Sequence, residues 1–189
     1  MRLISTFCFI CILAIPLLAQ NTAQIQSLAE EYIQAMQQKD WEKVTNNTYP
    51  GIFDYITREQ FISLLEMMDN PSMTTEFSEM KITSISDPYF SGTGQYAMIN
   101  YSMNMRILLK GDEWTQQVID QTVETLTTEY GDAQYDPMAR MIVSKGNIYL
   151  FAIKDQKTVG NWKFAENSKS LREILGKSIP QDVFSFFTP

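Results

Sequence analysis

One stretch of strict alternation constrains this chain more than anything else in it. Ala97, Ile99, Tyr101, Met103, Met105, Ile107 and Leu109 share one parity, and Met98, Asn100, Ser102, Asn104 and Arg106 share the other. Successive side chains of a β-strand point to opposite faces, so this run is a strand with one apolar and one polar face. That is the signature of an antiparallel sheet half-buried against a second layer. A strand this long has to bend if its whole apolar face is to stay dry, and helices elsewhere in the chain have to cover it.

Those helices come first. Ile25, Leu28, Ala29, Tyr32, Ile33 and Met36 recur at spacings of three and four, one apolar stripe of a helix. Asp40 follows as the cap of a second, short helix carrying Trp41 and Val44. Thr57-Arg58-Glu59-Gln60 is a capping-box pattern that opens a third helix through Phe61, Leu64, Leu65 and Met68.

From Met73 the period changes, and a long strand is expected to about Ser86. After the strand ending at Leu109, residues 112–130 read as a further helix. Asp112 is its expected cap, Trp114, Val118, Ile119, Val123, Leu126 and Tyr130 its buried side, and Gly131 its stop. Lys145-Gly146-Asn147 reads as a hairpin turn between strands at 140–144 and 148–154. A strand at 162–166, a short helix at 168–176 and a docked tail with Phe184, Phe186 and Phe187 complete the order. Asp54, Asp87 and Asp136 read as turn residues.

The N-terminus follows another logic. Met1-Arg2 is a short positive start, Leu3 to Leu18 is almost continuously apolar, and Ala19 precedes a polar run. That order is expected of a secretory signal peptide spanning 1–19, which leaves 20–189 as a single domain. Its apolar core is short for a membrane span. Cys8 and Cys11 are the only cysteines and lie inside it. The mature chain would then have neither disulfide nor thiol chemistry. The expected location is therefore outside the cytoplasm, periplasmic or secreted.

The chain has no histidine, which removes Ser-His and Cys-His nucleophile pairs and every imidazole metal ligand. A formal charge of −7 and the lack of any Lys/Arg run argue against nucleic acid as a partner. No carboxylate spacing resembles a calcium loop, so neither a metal nor a cofactor is expected.

Ala29-Glu30-Glu31-Tyr32-Ile33-Gln34-Ala35-Met36 followed by Lys39-Asp40-Trp41-Glu42-Lys43-Val44 resembles the opening of the nuclear-transport-factor-two-like superfamily. Ala152-Ile153-Lys154-Asp155, Asn161-Trp162-Lys163-Phe164-Ala165-Glu166 and Ile179-Pro180 are similar to its secreted bacterial members. The resemblance implies an α+β fold, a cystatin-like cone with N-terminal helices packed on a strongly curved antiparallel sheet. The helix at 112–130 is an extra element between strands. The resemblance also implies a homodimer paired through the sheet face.

Glu166 shares strand parity with Trp162 and Phe164, so an inward-facing carboxylate would sit beside two aromatics. Tyr101 on the apolar face and Tyr149 are hydroxyls that could assist it. These three are the candidate catalytic residues. Tyr101, Met103, Met105, Trp162 and Phe164 are the candidate ligand-binding residues. The leading functional expectation is a non-catalytic exported domain that binds a small lipophilic ligand or a protein partner. The alternative is a small lyase- or isomerase-type enzyme, in which the carboxylate moves a proton and a tyrosine steadies the enolate.

Overall fold

A computed structural model describes the backbone of residues 8–187 and the side chains from Asn21 onward. Part of the expected leader lies outside the described residues. The remainder is continuous with the first helix, α1 (Cys8–Gln38). Among the described residues, no helix is long and apolar enough to cross a membrane.

Of the stripe on α1, Ile25, Ala29, Tyr32 and Ile33 are in the core, and Leu28 and Met36 are half-buried against it. Lys39 takes a left-handed backbone, φ 57°, and turns the chain out of α1. Asp40 then accepts a hydrogen bond from the Lys43 amide and caps α2 (Trp41–Asn47). A 3-10 turn, Pro50–Asp54, leads to α3 (Arg58–Glu66), whose Thr57/Gln60 capping box is formed in both directions.

The sheet is antiparallel and open. Its strands are β1 (Asp69–Asn70), β2 (Met73–Ile85), β3 (Tyr89–Ser91), β4 (Gly94–Leu109), β5 (Asp132–Asp136), β6 (Met141–Lys154) and β7 (Lys163–Glu166). The spatial order is β1-β2-β4-β6-β5, with β3 also on β4 and β7 also on β6. β4 and β6 run in unbroken register from Gln95 opposite Lys154 to Leu108 opposite Met141. β2 is irregular: its register against β4 shifts between Ser78 and Lys81 and again between Ile82 and Ser84, and Glu79 sits at φ 52° in the first shift. Such bulges add local bend and twist, which lets β2 follow the curl of its long neighbour.

Each face of the sheet has its own core. Every apolar-parity residue of β4, from Ala97 to Leu109, is buried on the inner face with α1, α4 (Gln116–Tyr130) and the inner residues of β6, Ile142, Ile148, Leu150 and Ala152. At one end of the outer face, Tyr96, Phe151, Ile153 and Ala165 are covered by Tyr49, Ile52 and the C-terminal helices α5 (Lys169–Leu175) and α6 (Gln181–Phe187). Here Tyr49 is fully buried, and its hydroxyl donates to Asp155 at 2.7 Å. The α+β arrangement of helices on a curved antiparallel sheet, with an extra helix between strands, is thus present.

Two sequence expectations change. Residues 145–147 are not a turn, because β6 is one strand through them. The hairpin lies earlier, between β5 and β6, where the Asp136 carboxylate accepts from the Met138 and Ala139 amides. Gly146 instead permits a close approach: a Cβ added there would fall 1.3 Å from the Tyr130 carbonyl oxygen. The extra helix also starts later than Asp112. Thr115 is its cap, and the Trp114 indole donates to the Ser72 carbonyl at 2.8 Å.

Gly146→Ala should therefore push the end of α4 off the sheet. The expected loss is about 3 kcal/mol or more of unfolding free energy by urea titration. A midpoint unchanged from the wild type would contradict this packing.

Candidate functional site

The last turn of α4 converges with α1 on the inner face, next to the end of β7. Glu166 is the final residue of β7 and lies opposite Leu150 of β6, whose side chain is in the inner core. Strand parity therefore turns Glu166 inward along with Phe164. Tyr32 of α1 packs on Phe164, with ring centroids 5.3 Å apart, and Tyr130 ends α4. Tyr101 lies two strands away on β4, opposite Ile148, and is fully buried within electrostatic reach of Glu166, Tyr32 and Tyr130.

Glu166, Tyr32 and Tyr130 border a cavity of about 280 Å³, while Tyr101 and Phe164 stay in the core outside its lining. Tyr32, Tyr130 and Glu166 line it on the sheet side, Phe61, Leu64 and Leu65 of α3 on another, and Ser168, Ser170 and Leu171 at the rim. The rim is tied down: the Glu129 carboxylate accepts from the Lys169 amide at 3.0 Å, and the Ser168 and Ser170 hydroxyls are 3.0 Å apart. Leu64 is 56% exposed and marks the mouth. A wider groove of about 660 Å³ between α1 and β2 is lined by Gln26, Glu30, Gln34 and Gln37 with Lys81 to Ile85, but it is a more open depression. The smaller cavity is more enclosed and has a mostly apolar wall, as ligand sites usually do.

Glu166 is the unusual group in that wall. The residue is half-buried, and among the described residues no hydrogen bond or ion pair reaches its carboxylate. Burial, and then the negative charge of Glu129, push its pKa from an ordinary 4.5 to about 7. Burial likewise holds the hydroxyls of Tyr32, Tyr101 and Tyr130 well above their usual range, so they stay protonated donors. Tyr32 also bonds to Thr48. The site can therefore exchange a proton at one carboxyl near neutrality, while three hydroxyls keep theirs. Among the described residues, no three acidic side chains gather into a cation-binding cluster.

The sequence candidates separate. Glu166 and Tyr101 come together. Tyr149 does not join them: it lies opposite Asn100 on the outer parity and is 49% exposed. Met103 and Met105 are buried farther along β4, opposite Gly146 and Ser144. Trp162 and Phe164 are fully buried core residues, and the Trp162 indole nitrogen has no partner. None of these four lines the cavity, and neither does Tyr101. Tyr32, Tyr130 and Glu129 were not singled out from sequence. The first two did stand on the apolar stripes of their helices, and a tyrosine there is the available signal.

No family model and no curated protein matches the chain. Among solved structures it is similar to a dehydratase candidate of the NTF2-like family from Streptomyces avermitilis. That match has 9% identity and a TM-score of 0.37, and it covers 78% of this chain and 93% of that one.

Because the folded pKa of Glu166 lies above its unfolded value, the folded state holds this proton more tightly. Its contribution to stability is full below about pH 4.5 and is lost as pH rises through about 7. Glu166→Gln has no such loss. Measured by denaturant unfolding, the variant should gain roughly 2–4 kcal/mol on the wild type between pH 4.5 and pH 8. A difference independent of pH would mean the carboxyl is not buried.

Proposed function

We propose that the chain is an exported domain that holds a small lipophilic molecule in the cavity beside Glu166. The observation that carries this is a partly enclosed, largely apolar space of about 280 Å³ with one unpartnered carboxyl in its wall. That carboxyl is half-buried and has no protein partner, so a ligand that pairs with it makes a charge-assisted contact that the protein leaves open. Export is supported by the Met1-Arg2 start, the apolar run to Leu18 and Ala19 before Gln20. Among the described side chains of α1 the first buried one is Ile25, which lies beyond the expected cleavage after Ala19.

A homodimer remains part of the proposal on the strength of the polar outer face of β4. In the single chain, some of that face bonds across to β2: the Ser102 hydroxyl lies 3.4 Å from the Glu79 and Lys81 carbonyls, and the Asn104 amide donates to Glu79.

One observation favours the enzymatic alternative. A carboxyl with a pKa of about 7 is poised to accept and return a proton, and buried tyrosine hydroxyls stand ready to steady an enolate.

A single probe addresses both readings. 2-Tetralone is a neutral, bicyclic, enolisable ketone, and its binding and its deuterium exchange can both be followed by NMR in D₂O. Saturable binding that Leu64→Trp weakens about tenfold, with no accelerated exchange, is the expected result. The substitution closes the mouth at an exposed position and should leave the melting curve unchanged. Exchange accelerated by the wild type and abolished in Glu166→Gln would make the enzymatic reading the correct one. Binding indifferent to Leu64 would remove the cavity from consideration.

A further inference from the structure

The chemistry of the cavity wall narrows what it would accept. We propose that the ligand is a small amphiphilic amine, bound as its ammonium ion with the charge on Glu166 and the apolar body toward α3. This rests on the reading that the cavity is a ligand site, and deepens it.

Three observations point the same way. First, the protein supplies no donor to the Glu166 carboxylate, although donors line the same wall. Tyr32 and Tyr130 line the cavity and Tyr101 lies in the core within electrostatic reach, yet none of their hydroxyls is bonded to that carboxylate, and Tyr32 is engaged with Thr48. The Glu166 carboxylate is thus open to a ligand in the cavity, and an ammonium brings three N–H donors and a compensating charge. A carbonyl ligand would leave the ionised carboxylate as unpaired as before.

Second, the local charge is all of one sign. The charged neighbour acting on Glu166 is the Glu129 carboxylate, and no Lys or Arg lines the cavity. An anionic ligand would meet two carboxylates and no cation, while a cation is attracted by both. The Lys169 contact with Glu129 is through the backbone amide, which leaves the Glu129 charge uncancelled by an ion pair.

Third, the ring-bearing residues of the cavity, Tyr32, Tyr130 and Phe61, can offer aromatic surface to a cation, and the chain as a whole carries a net charge of −7. The volume suits a ligand of about the size of two fused rings, since an engineered cavity of roughly 150 Å³ holds one benzene.

The proposal sets a pH dependence. The groups facing Glu166 are Tyr32 from α1, Tyr101 from β4, and Tyr130 and Glu129 from α4. The three tyrosines stay protonated across the working range, so the proton on Glu166 is what competes with the ammonium. Affinity for the amine should rise as pH climbs through about 7.

Four probes on one skeleton test it by calorimetry: 2-aminotetralin (cationic), 2-tetralol and 2-tetralone (neutral) and tetralin-2-carboxylate (anionic). At pH 8 the amine should bind about tenfold or more tighter than 2-tetralol. That preference should vanish in Glu166→Gln, and the wild-type preference should shrink by a similar factor at pH 5.5. The carboxylate should bind most weakly. If the alcohol or the carboxylate binds as well as the amine, or if Glu166→Gln keeps the preference, the amine assignment is wrong while the cavity remains a ligand site. If none of the four binds the folded wild type, the ligand-site reading itself fails, and the assignment fails with it.

Discussion

The inner face of β4 is the constraint on which the rest of the molecule depends. From Ala97 to Leu109 each inward residue is dry, and that requires a surface wrapped around it. Burying a Leu, Ile or Met side chain contributes about 1.5–3 kcal/mol, so a continuous row of them dominates the local energetics. α1 and α4 cover the row from one side, β2 bends by bulges to stay alongside it, and β6 extends the same surface in perfect register. The cavity is what remains where this wrapping is least complete, at the end of β7 under α3.

The same strands are used twice. β6 and β7 present Leu150, Ala152 and Phe164 inward, and Phe151, Ile153 and Ala165 outward to a second apolar layer under α5 and α6. Double-sided burial at this end makes β7 a rigid mount, so Glu166 is held in place by packing rather than by hydrogen bonds. A neighbouring constraint positions Tyr130. Gly146 allows the α4 terminus to lie directly on β6, and Gly131 at φ 109° lets the chain leave the helix there. Two glycines and a short strand thus place a carboxyl and a tyrosine at one wall.

Much of this was legible from periodicity. The apolar parity of β4, the stripe of α1 and the capping box of α3 each depend on contacts of adjacent residues, and each is found where the pattern puts it. What local pattern could not supply was pairing. Lys145-Gly146-Asn147 has turn composition, yet the glycine serves a contact with Tyr130, which is remote in sequence. The short β5 was hidden among residues that favour turns, because its stability comes from lying beside β6. For the site, parity alone brought Glu166 inward, and the apolar face of β4 brought Tyr101. Tyr149 faced the other way because it sits one residue off the inward parity of β6. Tyr32 and Tyr130 read as core because, at the level of a helix stripe, a buried tyrosine and a cavity-lining one have the same spacing. Nothing short of the assembled fold says that a space is left between them.

The site turns on a half-buried carboxyl with no protein partner at the end of β7. The direct measurement is the pH titration of the Glu166 side-chain carboxyl carbon by ¹³C NMR in the ligand-free protein. A midpoint near 7 is the result required by its burial and by the Glu129 charge. A midpoint near 4.5, the value of a solvated glutamate, would contradict it.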